Sequence, residues 1–325
     1  MTKKHREILV IVAALVIVGW VIANLPNEHD GRAESPRSNP VDQSALDAPG
    51  LLIVAHGAPN PEWNSPVLSL EGQVIRALGE DNPFRKVRVC MMEFASPTVA
   101  DGIREMEEAG CTRIVVVPLL IAPSSHSFWD IPTLLGLYSD EELETELRKE
   151  GASIVRSRLP ITLTPTLDKG DLIPEIMVDR VKTLSKDPGN EAVVILAHGD
   201  TSTKSLWCKL MKKTVTYVCG ETGITYGDWA FVHIGQSYER ALGAIVEAAK
   251  HRKRVILVGC YLSIGVAEMH RRFMETFPEK TVPGTENPLE DLDIIAAEQG
   301  LLPDPRIPEW IADTAKKAVL RRGTD

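Results

Sequence analysis

The stretch Leu51-Leu-Ile-Val-Ala-His56-Gly57 decides the fold of this chain. Its unbroken apolar run is typical of a short strand buried on both faces of a parallel sheet. The pattern returns in Ala192-Val-Val-Ile-Leu-Ala-His198-Gly199. We therefore expect two α/β units, each beginning with a buried strand that ends in a histidine and a glycine.

Alternating strand and helix patterns continue from both motifs. In the first unit, strands are predicted at 51–56, 86–93, 113–120 and 152–156, with helices at 66–78, 97–109, 140–149 and 171–184. In the second, strands are predicted at 192–198, 229–234 and 254–259, with helices at 202–215 and 238–249. Helices between strands indicate right-handed crossovers and parallel sheets.

The repeat extends to the ends of the two units. Residues Ile173–Lys182 and Ile307–Lys316 are identical at five of ten positions, at a shift of 134 residues. The pattern predicts two tandem lobes, lobe 1 at 51–188 and lobe 2 at 189–325.

Composition argues against several classes of partner and site. The chain has 325 residues, of which 44% are hydrophobic and 25% charged, so it can bury a large core. A formal charge of −9 argues against a nucleic-acid partner. Five cysteines without a C-x-x-C pair argue against a structural zinc site.

The N-terminus predicts contact with a membrane. Lys3, Lys4 and Arg6 precede the apolar run Ile8–Leu25, whose 18 residues would reach about 27 Å as a helix. Two interpretations fit residues 1–26: a retained anchor with the lobes extracytoplasmic, or a cleaved signal that leaves a periplasmic or secreted protein. Residues 27–50 are rich in Pro, Ser, Asn and Asp and predict a flexible linker.

Three side chains that can bind a metal ion or accept a proton lie at or after the ends of predicted strands in lobe 1. His56 and Glu93 end the first and second predicted strands, and His126 comes shortly after the third. The carboxyl ends of parallel strands share one edge, where ligands bind. Two imidazoles and a carboxylate suit Co²⁺, Fe²⁺, Ni²⁺ or Zn²⁺ and also proton abstraction. Gly57 would let a bulky ligand approach the backbone.

Lobe 2 does not repeat all three of these side chains. His198 repeats His56, Ile234 falls opposite Glu93 with His233 beside it, and Ala267 falls opposite His126. We therefore expect lobe 1 to be active and lobe 2 to be a degenerate supporting copy. A second metal site made of His198, His233 and His270 stays open at this point.

These motifs together resemble the sirohydrochlorin cobaltochelatase (CbiX) and ferrochelatase (SirB) family. The resemblance rests on Ala55-His56-Gly57, Glu93 followed by Ala95-Ser96-Pro97, Val115–Leu120, and Ser124-Ser125-His126 with Asp130–Pro132. It implies the class II chelatase fold, two flavodoxin-like lobes with a cleft between them. It also implies that His56 and His126 ligate metal and that Glu93 accepts protons or adds a ligand.

The expected activity is insertion of a divalent metal, Co²⁺ or Fe²⁺, into an anionic tetrapyrrole of the sirohydrochlorin type. No P-loop or G-x-G-x-x-G motif is present, so we expect no ATP and no cofactor beyond the substrate metal. Arg85, Arg88, Arg156 and Lys204 are candidates for binding substrate carboxylates. An exported carrier without turnover and a tethered partner-binding protein are the alternatives, and the oligomeric state is open.

Overall fold

Two parallel four-stranded sheets organise the chain in the computed structural model, which describes residues 47–232, 238–280 and 287–320. The first half contains β1 (Pro49–Ala55), α1 (Pro61–Leu68), α2 (Leu70–Leu78), β2 (Lys86–Met91), α3 (Val99–Glu108), β3 (Arg113–Pro118), a π-helix (His126–Asp130), α4 (Ile131–Leu134), α5 (Glu141–Lys149), β4 (Ile161–Leu163) and α6 (Leu172–Leu184). The second contains β5 (Glu191–Ala197), α7 (Lys204–Thr222), β6 (Tyr226–Phe231), α8 (Leu242–His251), β7 (Arg254–Cys260), α9 (Val266–Lys280), β8 (Asp293–Ala296) and α10 (Arg306–Leu320).

Both sheets have the same strand order. The first runs β2-β1-β3-β4 and the second β6-β5-β7-β8, with every pair parallel. All seven residues of β1 and all seven of β5 are buried, as their apolar runs predict. In each sheet the first strand lies between the second and third, so that their carboxyl ends meet at one edge.

The fourth strand differs from the prediction. It is formed by Ile161–Leu163, which pairs with β3, whereas the predicted segment 152–156 is not a strand. Ile154 and Val155 instead pack against the core beneath the end of α4, where the Val155 N–H donates to the Leu134 carbonyl at 3.2 Å. A short apolar run can fill the core outside a sheet as well as form a buried strand, and hydrophobic periodicity does not distinguish the two cases.

The second sheet shows two further differences. β6 lies at Tyr226–Phe231, three residues earlier than predicted, and β8 at Asp293–Ala296 was not predicted. β6 is only half-buried and carries Gly227 and Asp228, which weaken its apolar signal. β8 has four residues, fewer than a periodicity argument needs.

Each half of the chain gives its last helix to the other half. α6 packs on α7 and β7 of the second half, whereas α10 packs on α2 and β3 of the first half. Polar contacts fix both helices: Arg180 of α6 donates to the Gly300 carbonyl at 3.1 Å, and Lys316 of α10 donates to the Leu78 carbonyl at 2.8 Å. One apolar core therefore joins both sheets.

The predicted anchor or signal at residues 1–26, and residues 27–46 of the predicted linker, lie outside the described residues. Among the residues that are described, no helix has the length and apolar character needed to cross a membrane.

Candidate active site

The carboxyl edge of the first sheet brings together His56, Glu93 and His126, the three residues singled out in the sequence. His56 directly follows β1, and its Nε2 lies 2.7 Å from Oε1 of Glu93, two residues after β2. His126 begins the π-helix after β3, and its ring centroid lies 4.9 Å from that of His56 with the planes at 78°. Nitrogen and carboxylate donors thus meet at one point of the edge.

Gly57 makes the His56–Glu93 contact possible. A Cβ at this position would lie 1.8 Å from the carbonyl oxygen of Glu93, so only glycine fits between the two loops. The space beside Gly57, expected from the sequence to admit a ligand, is occupied by the backbone of Glu93. The glycine therefore serves the site by letting the two strand ends approach each other.

Glu93 favours the protonated form of His56. The Nδ1–H of His56 donates to the Gly57 carbonyl at 2.6 Å, so Nε2 can contact the carboxylate favourably only when a proton lies between them. Burial alone would lower the pKa of His56, but the hydrogen bond and charge of Glu93 outweigh it, and the pKa lies above its ordinary value of 6.5. Burial would raise the pKa of Glu93, but hydrogen bonds with His56 and Glu150 lower it instead.

His126 is oriented by a buried carboxylate. Its Nδ1 lies 2.5 Å from Oδ2 of Asp130, four residues later in the π-helix. Because a carboxylate only accepts, Nδ1 carries the proton and the Nε2 lone pair is presented to a metal ion. In the sequence, Asp130 stands out only as part of a motif. A His and an Asp at i and i+4 of a helix are the signal that could have revealed the pair.

Glu150 is a site residue that the sequence did not reveal. It follows α5, a helix with the charge pattern of a solvated surface. The hydrogen bond that it shares with Glu93 raises the pKa of Glu150 to about 7, and burial and the Glu93 charge act in the same direction. Two carboxyl groups that share one proton provide a place for a proton to reside near His56.

Phe94 has a constrained backbone beside the site. Its φ of +59° is rare for a residue with a bulky side chain. The turn is closed by the Ala95 N–H, which donates to the Glu93 carbonyl at 2.7 Å. The ring of Phe94 is 43% exposed, with its centroid 6.4 Å from that of His56. Such strained positions are concentrated at functional sites, where the surrounding structure enforces them.

The donors do not form a closed cage. Within 47–232, 238–280 and 287–320, no group of three His, Cys, Asp or Glu side chains is arranged to hold a metal ion as it stands. In lobe 1, His56 and Glu93 contact each other at 2.7 Å, so a metal ion that binds His56 Nε2 would have to displace the proton between them.

Lobe 2 retains only part of the arrangement. His198 Nδ1 lies 2.7 Å from the Gly199 carbonyl, as His56 Nδ1 does from Gly57. His270 instead contacts the Tyr238 hydroxyl at 2.9 Å, and burial lowers its pKa. His233, the third residue of the second metal site considered from the sequence, lies outside the described residues.

The registers of the two sheets correspond, since Met91 pairs with Ala55 and Phe231 pairs with Ala197. His233 and Ile234, the residues aligned near Glu93 in the sequence, lie outside the described residues.

Two basic candidates already have partners. Arg88 pairs with Glu71 at 3.3 Å and with Glu105 at 3.2 Å. Arg85 donates to the Gly110 carbonyl at 3.1 Å. Both arginines thus have partners within the first half of the chain.

Comparison with known proteins agrees with this fold. The family model CbiX matches residues 50–184. Sirohydrochlorin cobaltochelatases from Saccharolobus solfataricus and Methanococcus maripaludis are each 33% identical, over 132 and 92 residues. These matches span 41% and 28% of this chain, and 92% and 61% of the respective relatives.

Solved structures share the fold over both halves. SirB from Bacillus subtilis with Fe³⁺ is 14% identical with a TM-score of 0.59, and the match covers 85% of this chain and 98% of SirB. The complex of SirB from Bacillus subtilis subspecies spizizenii with cobalt is also 14% identical, with a TM-score of 0.57 and the same coverage.

The two parallel sheets and the sequence matches define a class II chelatase, which is a lyase. The chain belongs to the CbiX family.

Proposed function

We propose that this chain inserts a divalent metal ion, Co²⁺ or Fe²⁺, into a sirohydrochlorin-type tetrapyrrole without ATP. The metal is a substrate, and the proposal invokes no resident cofactor. The observation that carries it is the junction of His56, Glu93 and His126 at one sheet edge, with His56 Nε2 2.7 Å from Glu93 and the histidine rings 4.9 Å apart. The names of the cobaltochelatase relatives support the same reaction class.

Metal capture begins with loss of a proton. The proton between His56 and Glu93 leaves, and the Nε2 lone pair of His56 becomes available to the incoming ion. In His126, Nδ1 is bound to Asp130, so Nε2 is the ring nitrogen left for the ion. Nickel and zinc ions suit the same donors, so the choice between metals depends on supply and on the macrocycle.

Insertion then releases two protons from the macrocycle for each metal ion that enters. Glu93, freed from His56, is placed to accept the first proton. Glu150 shares a hydrogen bond with Glu93 and is exposed, so it connects this carboxylate with solvent. Protons thus leave by a route that does not use the histidine lone pairs needed by the metal.

The rim of the site offers apolar surface to a planar ring. Phe94 is exposed beside His56, and Phe128 and Trp129, which follow His126, are 52% and 39% exposed. A hollow of about 640 Å³ lies against Phe94, lined further by Ala58, Pro59, Asn64 and Leu68. Exposed aromatic rings suit stacking with a tetrapyrrole.

We also propose an extracytoplasmic location for the two lobes. The support is the order of charge and apolar sequence, Lys3, Lys4 and Arg6 before Ile8–Leu25. Either a retained anchor or a cleaved signal gives this location.

The function is tested by anaerobic absorbance spectroscopy of sirohydrochlorin with the full chain and a panel of divalent ions. The expected result is conversion of the metal-free spectrum into the metallated one, with many turnovers per protein for Co²⁺ or Fe²⁺. Stoichiometric binding that returns unchanged macrocycle would contradict the proposal and indicate a carrier.

A further inference from the structure

The loop after β5 of the second half reaches the segment that carries His126. Asp200 lies two residues after His198, where lobe 1 has Ala58 after His56. Ala58 has only a methyl side chain, whereas Asp200 adds a carboxylate directed at the other half. Lobe 2 therefore carries a polar group at a position where lobe 1 has none.

Asp200 binds the residue immediately before His126. Its Oδ2 accepts hydrogen bonds from the backbone N–H of Ser125 at 3.3 Å and from the Ser125 hydroxyl at 3.1 Å. Its Oδ1 accepts from the Thr203 N–H at 2.9 Å. The carboxylate thus joins the start of α7 to the start of the π-helix.

Thr203 holds the same segment two residues earlier. Its buried hydroxyl donates to the Pro123 carbonyl at 2.6 Å. Pro123 and Ser125 are therefore both bound from the second half, while Ser124 is bound within its own turn by Ser127 at 2.9 Å. The backbone that enters His126 is fixed at two points by lobe 2.

These bonds complement the Asp130 contact. Asp130 fixes the rotation of the His126 ring, but it lies on the same π-helix and moves with it. Asp200 and Thr203 fix the position of that helix from a separate element. Because metal ligands must be held to within about 0.5 Å, both constraints matter for a shared metal position with His56.

We propose that Asp200 and Thr203 are positioning residues that place His126 for metal capture, an inference that rests on the proposed function. The second lobe then acts on the site through this loop. The carboxylate of Asp200 is suited to this role. Burial would raise its pKa, but the hydrogen bonds from Thr203 and Ser125 outweigh burial and keep the group ionised.

The test compares Asp200→Ala and Asp200→Asn with a matched control in the full chain. Glu191→Ala is the control, because Glu191 lies at the opposite end of β5 and also accepts several hydrogen bonds, including 2.9 Å from the Lys186 N–H. The measurements are melting temperature, KM for Co²⁺, KM for sirohydrochlorin, kcat and the absorbance of Co²⁺ bound without macrocycle.

The expected result is a rise of at least tenfold in KM for Co²⁺ in Asp200→Ala, with KM for sirohydrochlorin within twofold and an altered Co²⁺ spectrum. Asp200→Asn retains an acceptor oxygen and should recover part of the loss. Glu191→Ala should lower the melting temperature without changing KM for Co²⁺. If Asp200→Ala behaves like Glu191→Ala, the two bonds only stabilise the fold, and the inference is overturned.

Two further measurements cover a variant that does not fold and a wild-type chain that inserts no metal. If Asp200→Ala does not fold, Thr203→Val removes the hydroxyl bond to Pro123 at nearly constant volume and should raise KM for Co²⁺ severalfold; an unchanged KM overturns the inference. If the wild-type chain inserts no metal, the proposed function fails. The Co²⁺ titration of wild type and variants then decides the positioning role alone, since it needs no turnover.

Discussion

Nε2 of His56 and Oε1 of Glu93 lie 2.7 Å apart, and they share a proton at the position where His56 must offer its lone pair to a metal ion. The Gly57 carbonyl accepts from the other ring nitrogen and so leaves Nε2 as the variable group. Proton and metal therefore compete for one atom, and Glu93 sets the strength of that competition.

The pH dependence of His56 should follow Glu93. Because the pKa of His56 is raised in the fold, the stabilisation by the pair is complete below about pH 6.5 and is lost as pH rises through the raised value. Metal binding has the opposite pH dependence: it strengthens as pH rises through the raised pKa of His56, because the proton leaves Nε2. Glu93→Gln should lower the His56 pKa and shift both profiles to lower pH, measured by NMR of the ring protons. Glu105→Gln, on α3 and away from His56, is the control; equal pKa values in wild type and Glu93→Gln would refute the coupling.

Both histidines should be needed for insertion. We expect His56→Ala and His126→Ala each to lower the initial rate at least a hundredfold, or about 2.7 kcal/mol in barrier, because one nitrogen ligand cannot hold the ion in an insertion geometry. The double variant should be little slower than either single one, since the pair acts as a unit. Circular dichroism checks folding. A folded His126→Ala variant with wild-type rate would remove His126 from the site.

Removal of the Asp130 charge should weaken metal capture through His126. In Asp130→Asn the amide can bond Nδ1 in either orientation, so the ring no longer keeps its Nε2 lone pair free. The expected loss in Co²⁺ affinity is about ten- to a hundredfold. The matched variant Asp140→Asn changes the N-cap of α5, where the side chain accepts from the Leu143 N–H at 3.0 Å, and should leave affinity unchanged. Equal affinities for the two variants would argue against the orienting role.

The histidine of lobe 2 should be dispensable. His198 has the local geometry of His56, but His270 is bound to the Tyr238 hydroxyl, whereas His126 is bound to a carboxylate. We expect His198→Ala to retain turnover within about tenfold, or roughly 1.4 kcal/mol in barrier. A loss as large as that of His56→Ala, measured under the same conditions, would show that lobe 2 takes part in the chemistry.

The proposed topology predicts where a C-terminal reporter works. An alkaline phosphatase fusion, active only outside the cytoplasm, should be active, and a fluorescent fusion that matures only inside should be dark. Replacement of Lys3, Lys4 and Arg6 by Glu should weaken this orientation, because positive residues retain the N-terminus inside. The reverse pattern in the unaltered chain would contradict the proposal.

Features of the fold that depend on local sequence pattern could be predicted. Apolar periodicity and the geometry of parallel sheets were enough to predict the buried runs of β1 and β5 and the positions of His56, directly after β1, and Glu93, two residues after β2. His126 could be placed on the same edge for that reason.

Features that depend on long-range packing could not be predicted. Glu150 follows a helix with a charged surface pattern, and its hydrogen bond with Glu93 spans 57 positions of sequence. Asp200 reaches Ser125 across 75 positions. The segment 152–156 has strand composition but fills the core, because packing rather than pattern decided its place.

The packing of α6 on the second half of the chain, and of α10 on the first half, has a consequence for synthesis of the chain. α10 is the last described helix, yet its residues Ile307, Ile311 and Ala315 complete the core that covers the sheet formed first. While the chain emerges from the ribosome, the apolar face of β3 stays without this cover until Arg306–Leu320 has been synthesised. Truncation before Arg306 would therefore leave this sheet open to aggregation.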